Sequence, residues 1–237
     1  MTAPRRAAEG RLDSRPSLAP VAGPLPPGLH ELDLDGAAPA ALLVPPGEPV
    51  ARPLLLFLHG AGGHAQQSLE AVGDLAAARG VAVLAPTAVD RTWDLLVGGL
   101  GRDVALLDAA LARVAERLPV SRTAIGGFSD GASYGLSLGL ANGDLFDAVL
   151  AFAPGFAAPP ARVGTPAVWI CHGTQDRVLP VERCGRRVQA ALRAEGYAVT
   201  YEEFDGGHVV TPALVRGALE WWLAGPPAPA SRPSGAG

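Results

Sequence analysis

The stretch GGFSDGASY, residues 126–134, sets Ser129 between Gly127 and Gly131. In a chain with 30 glycines, G-x-S-x-G is expected by chance, so the serine needs partners to mean anything chemically. A serine hydroxyl is barely ionised near neutral pH and becomes a nucleophile only beside a base. Histidine, with an unperturbed pKa of about 6.5, can take that proton and return it. A carboxylate on the far ring nitrogen fixes the tautomer and stabilises the imidazolium. Candidates for both lie further along the chain: Asp176 in HGTQDRVLP and His208 in FDGGHVVTP. Asp205, three residues before His208, competes with Asp176 as the acid. The alternative reading of Ser129 is a hydroxyl that only caps the next helix.

These residues are useful only if the chain brings them together. Strands are expected at 29–35, 41–44, 54–59, 81–85, 123–128, 147–153, 167–172 and 199–204. The middle ones are nearly unbroken apolar runs, as in a parallel sheet covered on both faces. Helical spacing covers 65–80, 101–118, 130–141, 180–195 and 211–223, with Pro212 after Thr211 reading as a helix start. Alternating strand and helix imply right-handed crossovers and a mostly parallel α/β sheet, with the first two strands as an antiparallel edge. In such sheets chemistry sits at the carboxyl ends of the strands. Ser129 follows the fifth strand, Asp176 the seventh and His208 the eighth. The serine then occupies a strand–turn–helix context, and the order Ser, Asp, His is that of a nucleophile elbow with its partners. The turn LHGAGG after the third strand leads into a helix, so its backbone N–H groups can face an anion. It lacks the G-K-[ST] ending of a phosphate loop. The N–H groups of Ala61 and Asp130 are the expected donors to an oxyanion.

Composition narrows the classes further. The chain has 237 residues, 49% hydrophobic and 18% charged, ample for one sizeable core. The net charge of −4, without a basic run, argues against nucleic-acid binding. All 19 strong cations are arginine. Two cysteines, Cys171 and Cys184, make no disulfide framework and suit small buried positions. No apolar run reaches the length of a membrane span, and no hydrophobic region follows Arg5-Arg6. The expected location is cytoplasmic, without stable membrane insertion. Residues 1–28, rich in Pro, Ala and Arg, read as a disordered leader, 29–225 as the folded domain, and 226–237 as a flexible tail.

Taken together, LHGAGG, GGFSDGASY, HGTQDRVLP and DGGH resemble the bacterial phospholipase/carboxylesterase branch of the α/β-hydrolases, similar to acyl-protein thioesterases and lysophospholipases. The resemblance spans roughly residues 54–223. It implies an α/β-hydrolase fold with an eight-stranded, mostly parallel sheet, helices on both faces and no large cap domain. It implies a catalytic triad of Ser129, Asp176 and His208, oxyanion donors at Ala61 and Asp130, and neither metal nor organic cofactor. The expected partner is a small-molecule ester, cleaved through an acyl-serine intermediate by a monomer or homodimer. Short-chain acyl esters are the first candidates, with lysophospholipids and thioesters beside them. One departure stands out: many relatives carry Gln after the serine, where this chain has Asp130. Its carboxylate would repel an oxyanion if turned inward and is expected to point away. Trp93, Val178, Leu179 and Val209 are candidate pocket walls, Trp93 equally a core residue. His59 and His64 read as structural rather than metal-binding, for want of a convergent ligand set. A peptidase of related fold, or a non-catalytic ligand-binding protein, are the rival readings.

Overall fold

A computed structural model describes residues 3–19, 21–34, 38–48 and 50–225. Eight strands form one sheet: β1 (Gly28–Leu32), β2 (Ala40–Val44), β3 (Arg52–Leu58), β4 (Ala82–Ala85), β5 (Val120–Phe128), β6 (Ala148–Phe152), β7 (Ala167–Gly173) and β8 (Val199–Phe204). Their order is β1-β2-β4-β3-β5-β6-β7-β8. The β1–β2 and β2–β4 pairs are antiparallel and every other pair is parallel. The helices are α1 (Ala3–Ala8), α2 (Ala65–Ala77), α3 (Arg102–Arg117), α4 (Asp130–Ala141), α5 (Gly185–Ala194) and α6 (Pro212–Leu223).

The apolar run of β3 shows why the sheet is central. Leu54, Leu56 and Leu58 join one core with Leu107 and Leu111 of α3 and Leu136 of α4. Leu55 and Phe57 face the other core, with Val72 of α2 and Leu219 and Trp222 of α6. Both faces are dry, so alternate residues of the strand need no polar partner. α6 begins as its sequence predicts, with Thr211 Oγ1 accepting from Leu214 N (3.4 Å) and Pro212 at the first helical position. Residues 153–166 join β6 to β7 without a separate cap.

Two expectations need correction. The helix expected over 180–195 begins only at Gly185, because Cys184 adopts φ −117° and ψ −92°, outside the helical region, and residues 181–184 form turns instead. The N-terminal leader is not loose over its described residues. Leu12 is fully buried, and its N–H donates to Asn142 Oδ1 (2.9 Å). Arg11 forks onto Asp144 (3.0 and 2.8 Å), and Asp108 accepts from Asp13 N (2.7 Å) and Ser14 N (2.8 Å). The segment is held by polar partners about a hundred residues away, which periodicity does not reveal. The expected tail, 226–237, and position 35 of the first expected strand lie outside the described residues.

Candidate active site

β5 delivers Ser129 into α4 through a turn with no slack. Ser129 adopts φ 58° and ψ −115°, a left-handed conformation that costs a non-glycine residue about 1–3 kcal/mol. The turn closes because its neighbours lack side chains. A Cβ on Gly127 would lie 2.5 Å from the Gly131 backbone, and one on Gly131 would lie 2.4 Å from His59 O. The glycines of G-x-S-x-G are therefore packing requirements, and the Ser129 N–H is tied to Phe152 O on β6 (2.9 Å).

The turns after β7 and β8 bring the other two residues to this point. His208 Nε2 lies 2.8 Å from Ser129 Oγ, and His208 Nδ1 lies 2.6 Å from Asp176 Oδ2. The second carboxylate oxygen, Oδ1, accepts from Val178 N (2.9 Å) and Leu179 N (2.8 Å). Burial alone would raise the Asp176 pKa, but the Leu179 N–H and the bond from His208 outweigh it and hold the group below the usual carboxylate range. Since a carboxylate only accepts, the Nδ1 proton sits toward Asp176 and Nε2 is left to accept from the serine. Asp205 is elsewhere, accepting from Gln175 Nε2 (2.6 Å). His172, wholly buried, donates from Nε2 to Leu179 O (2.7 Å) and lies 3.4 Å from Asp176 Oδ2, bracing the same loop.

Above the serine runs the turn after β3. A Cβ on Gly60 would lie 3.5 Å from Ser129 Cβ. Gly62 N donates to Arg91 O (2.6 Å) and Gly63 N to Gly60 O (3.0 Å), while no bond to the Ala61 N–H is found among the described residues. Asp130 is the first residue of α4, so its N–H has no acceptor within the helix. His59 braces the turn from below: Nε2 accepts from Ala88 N (3.0 Å), so Nδ1 carries the proton and donates to Gly60 O (2.7 Å). Burial lowers its pKa and keeps the ring neutral. The Asp130 carboxylate turns toward the loop after β4, where Oδ2 accepts from the Thr92 hydroxyl and Trp93 N–H.

Trp93 is not a pocket wall. It is fully buried, its ring 5.2 Å from that of Tyr134 and 4.8 Å from that of His59, and its Nε1 donates to His59 O (3.0 Å). The indole props up His59 and, through it, the turn over Ser129. Val178 and Val209 flank the triad but are 66% and 45% exposed, so they wall no enclosed pocket. Leu179 lies closer in, its Cδ2 3.4 Å from the Cβ position of Gly155. The cavity beside the serine, about 400 Å³, is lined instead by Phe57, Ala61, Ser68, Ala71, Phe128 and Val210 among others. Of these, the sequence singles out only Ala61, as an oxyanion donor, and not as a cavity wall. Of the rest, only Phe128, inside the serine motif, and Val210, two past His208, carried a positional hint. The Phe128 ring stands 4.7 Å from that of His208, and Ser68 Oγ in the wall is buried without a hydrogen-bond partner among the described residues. Among the described residues no group of three His, Cys, Asp or Glu side chains is set to hold a metal ion. None of their helices is long and apolar enough to cross a membrane.

Sheet, elbow and side-chain row together define an α/β-hydrolase. The Phospholipase/Carboxylesterase family model matches residues 104–220 of this chain. Similar solved structures include esterase PE8, at 22% identity over 83% of this chain and 99% of that one, TM-score 0.64. Acyl-protein thioesterase 2 of Zea mays matches at 21% identity over 79% and 98%, TM-score 0.58. TT1662 of Thermus thermophilus matches at 27% identity over 82% and 97%, TM-score 0.60. No curated protein matches the chain.

Proposed function

We propose that this chain hydrolyses carboxylic esters of short acyl chains through an acyl-Ser129 intermediate. The observation that carries the reading is the unbroken row Ser129 Oγ, His208, Asp176, with separations of 2.8 and 2.6 Å. Ser129 Oγ attacks the ester carbonyl while His208 Nε2 takes its proton, and Asp176 stabilises the resulting imidazolium. The carbonyl oxygen becomes an oxyanion held by the N–H groups of Ala61 and Asp130; each such donor supports about 3–4 kcal/mol of transition-state stabilisation. His208 then protonates the leaving alkoxide. Water, deprotonated by His208, attacks the acyl-serine, and collapse returns the acid and the free serine. A thioester follows the same path with a thiolate leaving group. The cavity lined by Phe57, Ala71, Phe128 and Val210 takes the apolar acyl chain.

A p-nitrophenyl ester series from acetate to dodecanoate tests this. Short chains are expected to be turned over best, and Ser129→Ala to lose activity by a factor of about a thousand or more. Val210→Trp, which fills the cavity, should shift the optimum toward acetate. Equal rates in wild type and Ser129→Ala would overturn the proposal.

A further inference from the structure

A second depression shares no lining residue with the cavity at Phe57 and Ala71. It measures about 320 Å³ and lies between the loop at Gly155–Phe156–Ala157 and α5, where Arg183 and Arg187 border it. Its polar side is unbalanced. Arg162, also in the wall, is neutralised by two bonds to Glu195 (2.6 and 2.7 Å). Glu182 is engaged by Arg186, which also forks onto Glu203 (2.6 and 2.7 Å). Arg183 and Arg187 have no carboxylate partner among the described residues. Both are exposed.

Their position is electrostatically unfavourable. α5 begins at Gly185 and has no acidic residue in its first turn. Arg187, in the first turn of α5, and Arg183, just before its N-cap Cys184, therefore stand as two like charges at the positive end of a helix dipole, with each other and the helix end as unfavourable terms. An anion in the depression would offset all three terms and meet two guanidinium forks. Below them Val188, Ala191 and Leu192 supply an apolar floor suited to a short hydrocarbon stem.

The depression also touches the catalytic loops. Gly155 N donates to Ser133 Oγ (2.9 Å), which donates to Ser129 O (3.1 Å). The Cβ position of Gly155 lies 3.4 Å from Leu179, whose N–H holds Asp176. One wall is thus two hydrogen bonds from the serine, and the apolar cavity at Phe57 and Ala71 is a separate space.

We infer that Arg183 and Arg187 form a subsite for an anionic group, carboxylate or phosphate, carried on a short stem by the ester substrate. The inference rests on the ester-hydrolase reading of the same site. It makes the preferred substrate a charged ester, such as a half-ester of a dicarboxylic acid, rather than a neutral one.

The test compares esters with and without a carboxylate. On the acyl side these are p-nitrophenyl pentanoate and the p-nitrophenyl half-ester of glutarate; on the alcohol side, phenyl butanoate and 4-carboxyphenyl butanoate. Wild type and the Arg183→Gln/Arg187→Gln double variant are assayed at low and high salt. Wild type is expected to favour the anionic ester of one pair by about tenfold in kcat/KM, through KM, with the preference shrinking in high salt. The double variant should lose that preference and keep its rate on the neutral ester. Turnover of the neutral esters with no charge preference in either pair, or a preference that survives in the double variant, would overturn the subsite alone. Turnover of no ester by folded wild type would overturn the ester reading, and the subsite with it.

Discussion

A Cβ placed on Gly131 would lie 2.3 Å from the carbonyl oxygen of Leu58. The first turn of α4 therefore rests directly on the end of β3, and this contact sets how far Ser129 projects above the sheet. Gly131→Ala must push the two apart. Overpacking of this kind costs about 1–3 kcal/mol. The variant should melt lower and lose more than tenfold in kcat/KM on a short ester, since a small displacement of the serine disturbs its alignment with His208. Thermal unfolding and steady-state kinetics check this together; unchanged values for both would contradict the role given to the glycine.

Asp130 supplies a pH signature. Burial, opposed by the Trp93 N–H bond and reinforced by nearby Asp103, raises its pKa to about 6. Between about pH 4, where the unfolded chain loses this proton, and about pH 6, the folded protein still holds it. The folded state then binds more protons, so this group's contribution to stability falls as pH rises through the window and stays low above it. Asp130→Asn removes the penalty. The melting temperature of the variant relative to wild type should rise from pH 4 to pH 7, as calorimetry at several pH values would show. Its ester hydrolysis should change by less than tenfold, because the carboxylate faces Thr92 and Trp93. A larger rise in rate would mean the carboxylate faces the oxyanion after all.

The N-terminal segment should matter for stability and not for chemistry. Leu12→Ala empties a fully buried position and is expected to cost about 2–5 kcal/mol in denaturant unfolding, with kcat/KM on a neutral ester unchanged. The strap also carries an acid-sensitive element. The bonds from Arg11, aided by Arg15, hold Asp144 down at about 2. That support is complete above about pH 4, where the unfolded carboxylate is also ionised, and is lost as pH falls toward 2. Arg11→Ala should therefore narrow the stability gap between neutral and acid pH. A variant whose acid sensitivity equals that of wild type would contradict the pairing.

Why some of this could be read from sequence, and some not, follows from the kind of interaction involved. The strands of the parallel sheet announce themselves because both faces are buried, so β3 reads Leu54-Leu55-Leu56-Phe57-Leu58 without interruption. Ser129, Asp176 and His208 were legible as candidates because each follows the carboxyl end of a strand, where such sheets bind ligands. Trp93 was ambiguous since an aromatic at the rim can face inward or outward; its burial depends on His59 and Tyr134, the latter more than forty residues later. The cavity wall was missed because Ser68 and Ala71 belong to a helix whose spacing speaks only of its core-facing stripe. The strap at Leu12 was missed because Asn142, Asp108 and Asp144 hold it through side-chain bonds that leave no periodic trace.

The central claim is that Ser129 is a nucleophile activated by His208, and covalent labelling tests it most directly. The folded protein is incubated with a fluorophosphonate, its intact mass is measured, and the modified peptide is sequenced. One adduct on Ser129 is predicted, absent in Ser129→Ala and formed at least a hundredfold more slowly in His208→Ala. A folded protein that gains no mass, or gains it at another residue, would contradict the account.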